Sequence, residues 1–453
     1  MFQKILIANR GEIAVRIIRS CMYMGIETVA VFSEADKDSL HVQLADDAVC
    51  IGRARSQDSY LNMENIITAA INKGAEAIHP GFGFLSENSR FAELCETVGI
   101  QFIGPKSKSI QAMGHKSKAR EIMMQANVPV VPGSDGSVGS LEEAALFAKD
   151  IGYPVLIKAS AGGGGKGMRI AYEASEFALA FETAKSEAKK AFGDDTMYLE
   201  KFIESPKHIE FQMLCDKYGQ VIHLGERDCS IQRRNQKVIE EAPSLINQSL
   251  REKMSQASIK ACKAVQYENA GTIEFLVKDN CFYFIEMNTR IQVEHPITEM
   301  ITGIDIIREQ ILIAAGEKLT IKQKDLVFRG HSIECRINAE NPKLDFRPSP
   351  GKIGLLHIPS GPGVRFDGFI YHGITIPPHY DSMVGKLIVH DQNRPMAIKK
   401  MQSVLEELVI DGIVTNQSFL YMIVNHPKYL KGQFDTSFIQ ANIERLLTYE
   451  DHE

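Results

Sequence analysis

Four consecutive glycines between two lysines form the strongest local signal for chemistry in the chain. The segment Lys158–Gly167 reads Lys-Ala-Ser-Ala-Gly-Gly-Gly-Gly-Lys-Gly and follows an apolar run that predicts a strand. Glycines have no Cβ, so their backbone N–H groups can close over phosphate oxygens, and Lys158 and Lys166 add positive charge. The spacing is not that of a Walker loop, because Gly167 follows Lys166. We interpret the segment as a cover for nucleotide phosphates; the alternative is a flexible hairpin with solvated lysines.

The second signal is a predicted β-hairpin over residues 271–288, in which β-rich runs flank a polar turn. Side chains two residues apart share one face of a strand. Glu286, Asn288 and Arg290 are therefore expected together on one face of the second strand.

The length of the hairpin loop decides whether Glu274 joins this face. A loop with an odd number of residues, centred on Asn280, places Glu274 directly opposite Glu286, whereas a two-residue loop sends Glu286 to the opposite face. Two carboxylates and the Asn288 amide oxygen, beside phosphates held by glycines, would form a magnesium site because hard cations prefer oxygen ligands. The alternative is a solvated carboxylate ladder. Apposed like charges disfavour an empty pair, so the pairing itself indicates a cation.

Further charged residues follow the hairpin. A guanidinium such as Arg290 can hold a planar oxyanion in a fork, and a carboxylate such as Glu294 can act as a base. A dense polar run at 226–237 is, taken alone, typical of a solvated surface. Within it, Cys229 is the one cysteine with a candidate chemical role, although a buried core thiol is the simpler interpretation. His208 alone is interpreted as a satisfied structural histidine.

Short apolar runs alternate with helical patterns over the first hundred residues. The expected elements are strands at 5–8, 28–32 and 75–78, helices at about 12–24 and 63–72, and a later helix capped by Ser86. This alternation predicts a doubly wound α/β layer. The first turn lacks the G-x-G-x-x-G spacing, so a hydride-transferring dinucleotide enzyme is disfavoured.

Turn residues at 128–136 indicate a boundary, after which a helix precedes a strand ending at Lys158. Strands dominate beyond residue 204, a helix is expected near 249–267, and a mixed segment runs from about residue 331.

Length and composition exclude several classes of function. The 453 residues suit about three domains, and 44% hydrophobic with 24% charged residues is typical of a globular protein with a large core. The 51 basic and 57 acidic residues give a net charge of −6, which disfavours a general nucleic-acid binder. The eight cysteines are far apart, which predicts reduced thiols. No window resembles a signal peptide or the ~18 apolar residues of a membrane span. We therefore expect a cytoplasmic protein with no nucleic-acid or membrane partner.

Together these segments resemble the biotin-dependent carboxylases, specifically the biotin carboxylase subunits of bacterial acetyl-CoA carboxylases. The matching strings are residues 4–14, 79–88, the glycine segment that begins at Lys158, 226–237, 284–296, 334–340 and 377–383. The resemblance spans almost the whole chain, and the string 286–296 is highly specific.

The resemblance implies an ATP-grasp fold in a chain that is α/β in class and α+β overall. The implied divisions are a doubly wound α/β domain at 1–114, an ATP-grasp domain at 115–330 with a mobile glycine-rich lid at about 131–203, a mixed α/β domain at 331–446, and a frayed tail at 447–453. The implied reaction is ATP-dependent carboxylation of biotin by bicarbonate through carboxyphosphate, the first half-reaction of acetyl-CoA carboxylase in fatty acid synthesis. A lid that excludes water suits an intermediate prone to hydrolysis.

The resemblance also implies roles for individual residues. The implied ATP contacts are Lys116, Lys158, Gly164, Gly165, Glu200, Lys201, Ile203, His208, Asn235, Glu274 and Glu286. The implied ligands of Mg²⁺ or Mn²⁺ are Glu274, Glu286 and Asn288. Lys237, Arg290 and Val293 would bind bicarbonate, and Arg336 and Gln292 would face the biotin ureido group. Lys237, Arg290 and Glu294 would be catalytic, with Glu294 deprotonating bicarbonate and Arg290 steadying the enolate-like biotin oxygen.

Two positions depart from the family pattern. Asn235 stands where many relatives have histidine, and Phe82 stands where tyrosine is common. Asparagine can donate a hydrogen bond but cannot carry charge, and we interpret both changes as tolerated variation.

The chain contains no Met-Lys-Met biotin attachment site. We therefore expect biotin to be an acceptor on a separate carrier protein, with carboxyltransferase subunits as further partners and, from the resemblance, a homodimer. Alternatives are the equivalent subunit of another acyl-CoA carboxylase, or a different ATP-grasp ligase, which should lack the Arg290–Glu294 string. A catalytically silent ATP-binding regulator is disfavoured by the presence of Glu274, Glu286, Arg290 and Glu294.

Overall fold

The computed structural model of the chain describes residues 1–134, 136–160 and 167–448. Helices and strands alternate in its first part. Their bounds are β1 Lys4–Ile7, α1 Gly11–Tyr23, β2 Glu27–Ser33, α2 Leu40–Leu44, β3 Asp47–Gly52, α3 Met63–Lys73, β4 Ala77–His79, α4 Ser89–Thr97, β5 Gln101–Phe102, α5 Ser107–Gly114 and α6 Lys116–Gln125. The strands form a parallel sheet in the order β3-β2-β1-β4-β5.

Helices cover both faces of this parallel sheet. On one face Ile5 and Ile7 of β1 pack with Ile17 of α1, and on the other Leu6 packs with Ile66 of α3 and Phe91 of α4. A parallel strand buried on both faces reads as a continuous apolar run, which is why β1 is recognisable in the sequence. The predicted doubly wound layer is confirmed.

One helix cap differs from the prediction. Helix α4 begins at Ser89, and Asn88 is its cap, since the Asn88 side-chain oxygen accepts a hydrogen bond from the Phe91 N–H at 3.0 Å. The prediction of Ser86 as the cap is wrong. Ser86 lies within the turn that precedes the helix, where its backbone N–H donates to the Gly83 carbonyl at 3.0 Å.

A small antiparallel sheet follows. Its elements are α7 Leu141–Ile151, β6 Val155–Ala159, β7 Met168–Ala171, α8 Ala174–Phe192 and β8 Met197–Lys201, with strand order β7-β6-β8. Phe177 and Phe181 of α8 pack onto Val155 and Ile157 of β6 in a separate core. Strands β6 and β7 flank the glycine segment, whose residues 161–166, including the predicted Gly164 and Gly165, lie outside the described residues.

The central part of the chain is a long antiparallel sheet with helices on it. Its bounds are β9 Lys207–Cys215, β10 Val221–Arg233, β11 Gln236–Ala242, α9 Gln248–Ala264, β12 Asn269–Lys278, β13 Cys281–Asn288, α10 His295–Thr302, α11 Ile306–Ala314 and β14 His331–Asn338. Phe211 and Phe275 pack with Met254 of α9, and burying each such side chain contributes about 1.5–3 kcal/mol.

The last part adds strands to the same sheet. Its bounds are β15 Glu340–Asn341, β16 Arg347–Pro348, β17 Gly351–Lys352, β18 Leu356–His357, β19 Val364–Gly368, β20 Thr375–Ile376, β21 Met383–Asp391, α12 Arg394–Glu407, β22 Val409–Ile410, α13 Gln417–Val424, α14 Pro427–Leu430 and α15 Phe438–Leu446. The strand order of the large sheet is β13-β12-β9-β10-β11-β14-β21-β19. The sheet therefore runs without a break from the hairpin β12–β13 to the C-terminal strands. Within the described part of the chain, no helix is both long and apolar enough to span a membrane.

Candidate functional site

A cleft of about 1270 Å³ lies between the N-terminal layer, the small sheet and the large sheet. Fifteen of the residues predicted from the sequence line it: Lys116, Lys158, Glu200, Lys201, Ile203, His208, Asn235, Lys237, Glu274, Glu286, Asn288, Arg290, Gln292, Val293 and Arg336. Glu294 does not line the cleft because it is fully buried behind Lys237 and Arg336. The predicted residues therefore come together in one place, although they are far apart in the chain.

The hairpin β12–β13 places the two predicted carboxylates opposite each other. Its turn is the two-residue type, since Lys278 pairs with Cys281, and both turn residues, Asp279 and Asn280, have positive φ values of 49° and 59°. Of the two loop lengths considered in the sequence analysis, the two-residue loop is therefore the one that forms. Glu274 nevertheless pairs directly with Glu286, because the register shifts by one residue after Glu274. The predicted pairing is confirmed.

Four neighbouring groups hydrogen-bond to the Glu274 carboxylate. Its Oε1 accepts from Lys237 Nζ at 2.8 Å, Asn288 Nδ2 at 2.8 Å and Gln292 Nε2 at 3.0 Å, and its Oε2 contacts His208 Nε2 at 2.8 Å. Burial raises the pKa of Glu274, but Lys237 and His208 outweigh this and hold the pKa well below its usual value. Glu274 is therefore an ionised carboxylate.

Glu286 is the less constrained member of the pair. Its side chain is half-exposed to the cleft, and Lys116 Nζ lies 3.9 Å from its Oε2. Loss of solvation and the adjacent charge of Glu274 raise the pKa of Glu286. An added cation would relieve this repulsion, and the oxygen atoms of Glu274, Glu286 and Asn288 are the donor type that a hard divalent ion prefers. The residues present fit Mg²⁺ or Mn²⁺.

The ammonium of Lys237 lies among three buried carboxylates. Its Nζ donates to Glu210 Oε2 at 2.6 Å, to Glu274 Oε1 at 2.8 Å and to Glu294 Oε1 at 2.7 Å. Burial lowers the pKa of Lys237, but these three charges reverse the effect and raise it well above its usual value. The group therefore remains charged and connects the predicted metal site to the predicted base.

Glu294 lies at the start of α10 with both carboxylate oxygens in contact with cations. Oε1 accepts from Lys237, and Oε2 accepts from Arg336 Nη2 at 3.0 Å. Burial raises the pKa of Glu294, but Lys237 above all, together with Arg336, lowers it below its usual value. A buried carboxylate kept in its ionised form is able to accept a proton from a bound substrate.

Arg290 extends from the end of the hairpin toward the N-terminal layer. Its Nε donates to Glu87 Oε2 at 2.9 Å, its Nη1 to Gln292 Oε1 at 2.7 Å and its Nη2 to Asn288 Oδ1 at 3.1 Å. Glu87 also accepts from the Thr289 N–H at 3.1 Å. Glu87 is a residue that the sequence analysis did not select, although it lies within the matching string 79–88.

Arg336 and Val293 are held by residues of the large sheet. Arg336 Nε donates to Glu240 Oε1 at 2.6 Å, while its Nη2 reaches Glu294. The backbone carbonyl of Val293 accepts from Lys386 Nζ at 2.8 Å.

Three of the predicted nucleotide-binding residues, Lys158, Glu200 and Lys201, lie on strands β6 and β8 of the small sheet. Lys158 and Glu200, on neighbouring strands, form a buried ion pair. The ammonium of Lys201 donates to the Gly152 and Tyr153 carbonyls at 2.9 and 2.7 Å. Lys201 therefore lines the cleft, but its ammonium already donates hydrogen bonds to two backbone carbonyls.

His208 and Asn235 are the remaining predicted nucleotide contacts. The Gln232 amide donates to His208 Nδ1 at 2.7 Å, so Nε2 carries the proton that Glu274 accepts. Both ring nitrogens of His208 thus have partners, which agrees with its interpretation as a satisfied histidine. Asn235 is exposed at the tip of the β10–β11 turn with φ +63°, a conformation that asparagine adopts more readily than most residues. Phe82, the second departure, also lines the cleft.

The polar run at 226–237 is mostly buried, so its interpretation as a solvated surface is wrong. Arg227 is fully buried and donates to Glu210 Oε1 at 2.5 Å and to Gln212 Oε1 at 2.8 Å. Cys229 is also fully buried, and burial raises its pKa well above the usual value, which agrees with its interpretation as a core thiol. Glu210 and Gln212, both on β9, compensate for the burial of the Arg227 charge.

Glu210 is a second residue of the site, after Glu87, that the sequence analysis missed. It lies on β9, directly opposite Glu274 on β12, and bonds both Arg227 and Lys237. Alternation along β9 places Glu210 on the same face as His208, but its partners lie on other strands and give no local signal in the sequence.

Comparisons with known proteins agree with the fold and the cleft. Residues 1–110 match the model "Biotin carboxylase, N-terminal domain", residues 115–322 match "Carbamoyl-phosphate synthase L chain, ATP binding domain", and residues 334–441 match "Biotin carboxylase C-terminal domain". A protein of Nostoc sp. named "Biotin carboxylase" is 58% identical over 97% of this chain and 99% of its own length. "Biotin carboxylase 1" of Bacillus subtilis is 55% identical, with coverage of 97% and 99%.

A solved structure shares the whole architecture. The biotin carboxylase domain dimer of 2-oxoglutarate carboxylase from Hydrogenobacter thermophilus, in complex with MgADP, ADP and bicarbonate, superimposes with a TM-score of 0.94. It is 52% identical, and the match covers 99% of this chain and all of that one.

Proposed function

The chain belongs to the biotin carboxylase family, and we propose that its cleft carboxylates biotin with bicarbonate and ATP on a separate carrier protein. The resemblance found in the sequence is confirmed, and the chain is an ATP-dependent ligase of this family. The roles of individual residues are part of the proposal.

A single observation carries this proposal. The Lys237 ammonium donates one hydrogen bond to Glu274 at 2.8 Å and another to the buried Glu294 at 2.7 Å. Because Glu274 pairs with Glu286, the lysine links the carboxylate pair to the proposed base. Bicarbonate that reaches Lys237 and the Arg290 guanidinium would therefore lie between a site for metal-bound phosphates and an ionised base. Val293 also lines this cleft.

In the first step, Glu294 accepts the proton of bicarbonate. The freed bicarbonate oxygen attacks the γ-phosphorus of ATP, ADP leaves, and carboxyphosphate forms. Lys237 and Arg290 offset the negative charge that gathers where the two anions meet, which is the main requirement of phosphoryl transfer.

The nucleotide and its metal would be held by residues on both sheets. Glu274, Glu286 and Asn288 would hold Mg²⁺ or Mn²⁺, which when bound neutralises charge on the phosphate oxygens. Contacts to ATP are proposed for Lys116, Lys158, Gly164, Gly165, Glu200, Lys201, Ile203, His208, Asn235, Glu274 and Glu286. The ion pair of Lys158 with Glu200 places the lysine at the side of the cleft formed by the small sheet.

In the second step, carboxyphosphate supplies the carboxyl group to the ureido nitrogen of biotin, and phosphate leaves with the proton of that nitrogen. Arg336 and Gln292 would face the ureido group, and Arg290 would steady the negative charge on its oxygen. Arg336 is oriented for this by its bonds to Glu240 and Glu294.

The proposal extends to domains, partners and location. The proposed domain limits are 1–114, 115–330 with a lid at about 131–203, and 331–446; the matched ranges 1–110, 115–322 and 334–441 support the three domains. A homodimer is supported by the dimeric 2-oxoglutarate carboxylase domain of H. thermophilus. A biotin carrier protein and carboxyltransferase subunits are the proposed partners. The eight cysteines are free thiols, which suits a reducing compartment such as the cytoplasm.

We propose that the carboxyl group finally reaches acetyl-CoA, as in bacterial acetyl-CoA carboxylase. A different acceptor is the second candidate, because the H. thermophilus domain belongs to a 2-oxoglutarate carboxylase. Reconstitution with biotinylated carrier and each type of transferase distinguishes them, since the transferase selects the acceptor.

The test is ATP hydrolysis by the purified chain with Mg²⁺, measured with and without bicarbonate and free biotin. We expect turnover to require bicarbonate and to rise as biotin is added. Lys400→Met is a suitable control variant, because Lys400 lies on α12 and does not line the cleft. A rate that does not respond to biotin over millimolar concentrations would contradict the proposal and favour another ATP-grasp ligase. Nucleotide binding without any turnover would favour the silent regulator.

A further inference from the structure

Lys386 is a fully buried lysine behind the cleft, and none of the roles above involves it. Its side chain is 0% exposed. Its Nζ donates to the Val293 carbonyl at 2.8 Å and lies 3.1 Å from Glu12 Oε1. Lysine is almost never fully buried unless it is paired, so the partners of Lys386 must compensate for the burial of its charge.

The position of Lys386 in the sheet brings it beside the biotin-facing arginine. On β21 it pairs directly with Arg336 of β14, and on its other side it pairs with Asp367 of β19. Directly opposed residues project from the same face of a sheet. Lys386 and Arg336 are therefore neighbouring cations that both act on the segment 290–294: Arg336 bonds the Glu294 side chain, and Lys386 bonds the Val293 backbone.

Glu12 is the acidic group that faces the Lys386 ammonium from the N-terminal layer; burial raises its pKa to about 7, and Lys386 opposes that rise. It lies in the first turn of α1, is buried, and neither of its oxygens has another hydrogen-bond partner among the described residues. The Lys386 ammonium thus links α1, the large sheet and the segment that carries Arg290 and Glu294.

We propose that Lys386 is a positioning residue for bicarbonate: by holding the Val293 carbonyl, with Glu12 as its counter-ion, it sets the segment 290–294 in the geometry in which Arg290 and Glu294 meet the substrate. This inference rests on the proposed function. Displacement of a reacting group by about 1 Å can cost about a hundredfold in rate, so loss of this anchor acts on the bicarbonate step. The nucleotide-binding side of the cleft, formed by β6–β8, has no contact with Lys386 among the hydrogen bonds and ion pairs of the described residues.

The test compares Lys386→Met with Lys400→Met. Lys400 is a matched control, because it also bonds backbone carbonyls, those of Pro362 and His390 at 3.0 and 2.8 Å, and a carboxylate, that of Asp391 at 2.8 Å. The measurements are kcat and KM for bicarbonate, and ATP affinity by calorimetry. We expect Lys386→Met to lower kcat/KM for bicarbonate about tenfold to a hundredfold with ATP affinity retained. Lys400→Met should leave both unchanged.

The outcomes separate this inference from the proposed function. If the wild type shows no bicarbonate-dependent turnover, the proposed function fails and the inference fails with it. If the wild type is active, normal bicarbonate kinetics in Lys386→Met, or an equal loss of ATP affinity, overturns the positioning role alone. Should Lys386→Met not fold, Glu12→Gln assayed at about pH 8 decides, since the variant keeps the side-chain shape and removes a carboxylate that is ionised above its pKa of about 7. A selective loss in bicarbonate kcat/KM supports the role, and unchanged kinetics overturns it.

Discussion

Glu274 and Glu286 lie directly opposite each other because one residue is added to the pairing between them and the hairpin turn. From the turn as far as Phe275, which pairs with Phe284, the strands keep the register of a two-residue loop. Continued to the site, that register would oppose Glu274 to Ile285 and turn Glu286 to the other face. Bulges of this kind re-aim side chains and are frequent beside active sites. A local irregularity of the backbone therefore builds the carboxylate pair.

Glu286→Gln should weaken metal binding and relieve repulsion at the same time. In EDTA we expect the variant to melt at a temperature equal to or higher than the wild type, because its neighbour Glu274 no longer faces a second negative charge. Added Mg²⁺ should raise the melting temperature of the wild type by mass action but leave that of the variant nearly unchanged. Glu252→Gln, on the exposed side of α9, serves as the control. An equal response of Glu286→Gln and the control to Mg²⁺ would show that Glu286 holds no metal.

Glu294→Gln removes the proposed base and keeps nearly the same shape. Biotin-dependent turnover should fall by about 10²–10⁴-fold, the usual contribution of a general base. ATP affinity measured by calorimetry should be largely retained, because the proposed nucleotide contacts lie elsewhere in the cleft. Loss of turnover and ATP affinity together would remove the base assignment.

Lys237→Met leaves Glu210, Glu274 and Glu294 without their shared cation. Removing one partner from a buried charge cluster costs about 3–5 kcal/mol, so the free energy of unfolding in urea should fall by an amount of this order. Lys400→Met, whose ammonium is partly exposed, should cost much less. If the two variants are equally stable, Lys237 does not neutralise the cluster in the way that its three bonds indicate.

Glu240 should make stability depend on pH in the direction opposite to most carboxylates. It is fully buried, directly opposite Glu334, and burial raises its pKa to about 7. The folded state therefore keeps a proton that the unfolded state releases near its usual pKa of 4.5. Stability is fully present below that value and is lost as the pH rises toward 7, with a slope of up to about 1.4 kcal/mol per pH unit.

The variant Glu240→Gln isolates this effect. Its free energy of unfolding, measured by urea titration from pH 4.5 to 7, should decline less steeply with pH than that of the wild type. Parallel curves for the two proteins would mean that Glu240 is ionised in the folded state.

Local patterns predicted the shared face of Glu286 and Asn288, because period-2 alternation holds between them within β13. Arg290, predicted on the same face, lies beyond the end of this strand. Local patterns could not predict the loop length, since a two-residue turn and a bulge together produce the same pairing as an odd-numbered loop. Local sequence patterns also could not predict the burial of Arg227 or the role of Glu210. Both depend on partners on other strands, and a polar run that is paired across a sheet has the same composition as a solvated one.

The cap of helix α4 at Asn88 was also not predictable from the local sequence. Ser86 and Asn88 are both good capping residues, and only the path of the preceding turn decides which of them meets the first free N–H group. By contrast, the inner strands β1, β2 and β4 of the parallel layer were predictable, because they are apolar, mostly buried and leave a continuous signal. The edge strands β3 and β5 are partly exposed and were not predicted.

The transfer of labelled carbon from bicarbonate to biotin tests the central claim most directly. The purified chain is incubated with ATP, Mg²⁺, free biotin and ¹⁴C-bicarbonate, and acid-labile label on biotin is counted beside the ADP released. We predict that label appears on biotin in step with ADP, and that Glu294→Gln forms both about 10²–10⁴-fold more slowly. ADP release in the presence of biotin with no label fixed on it would contradict the account.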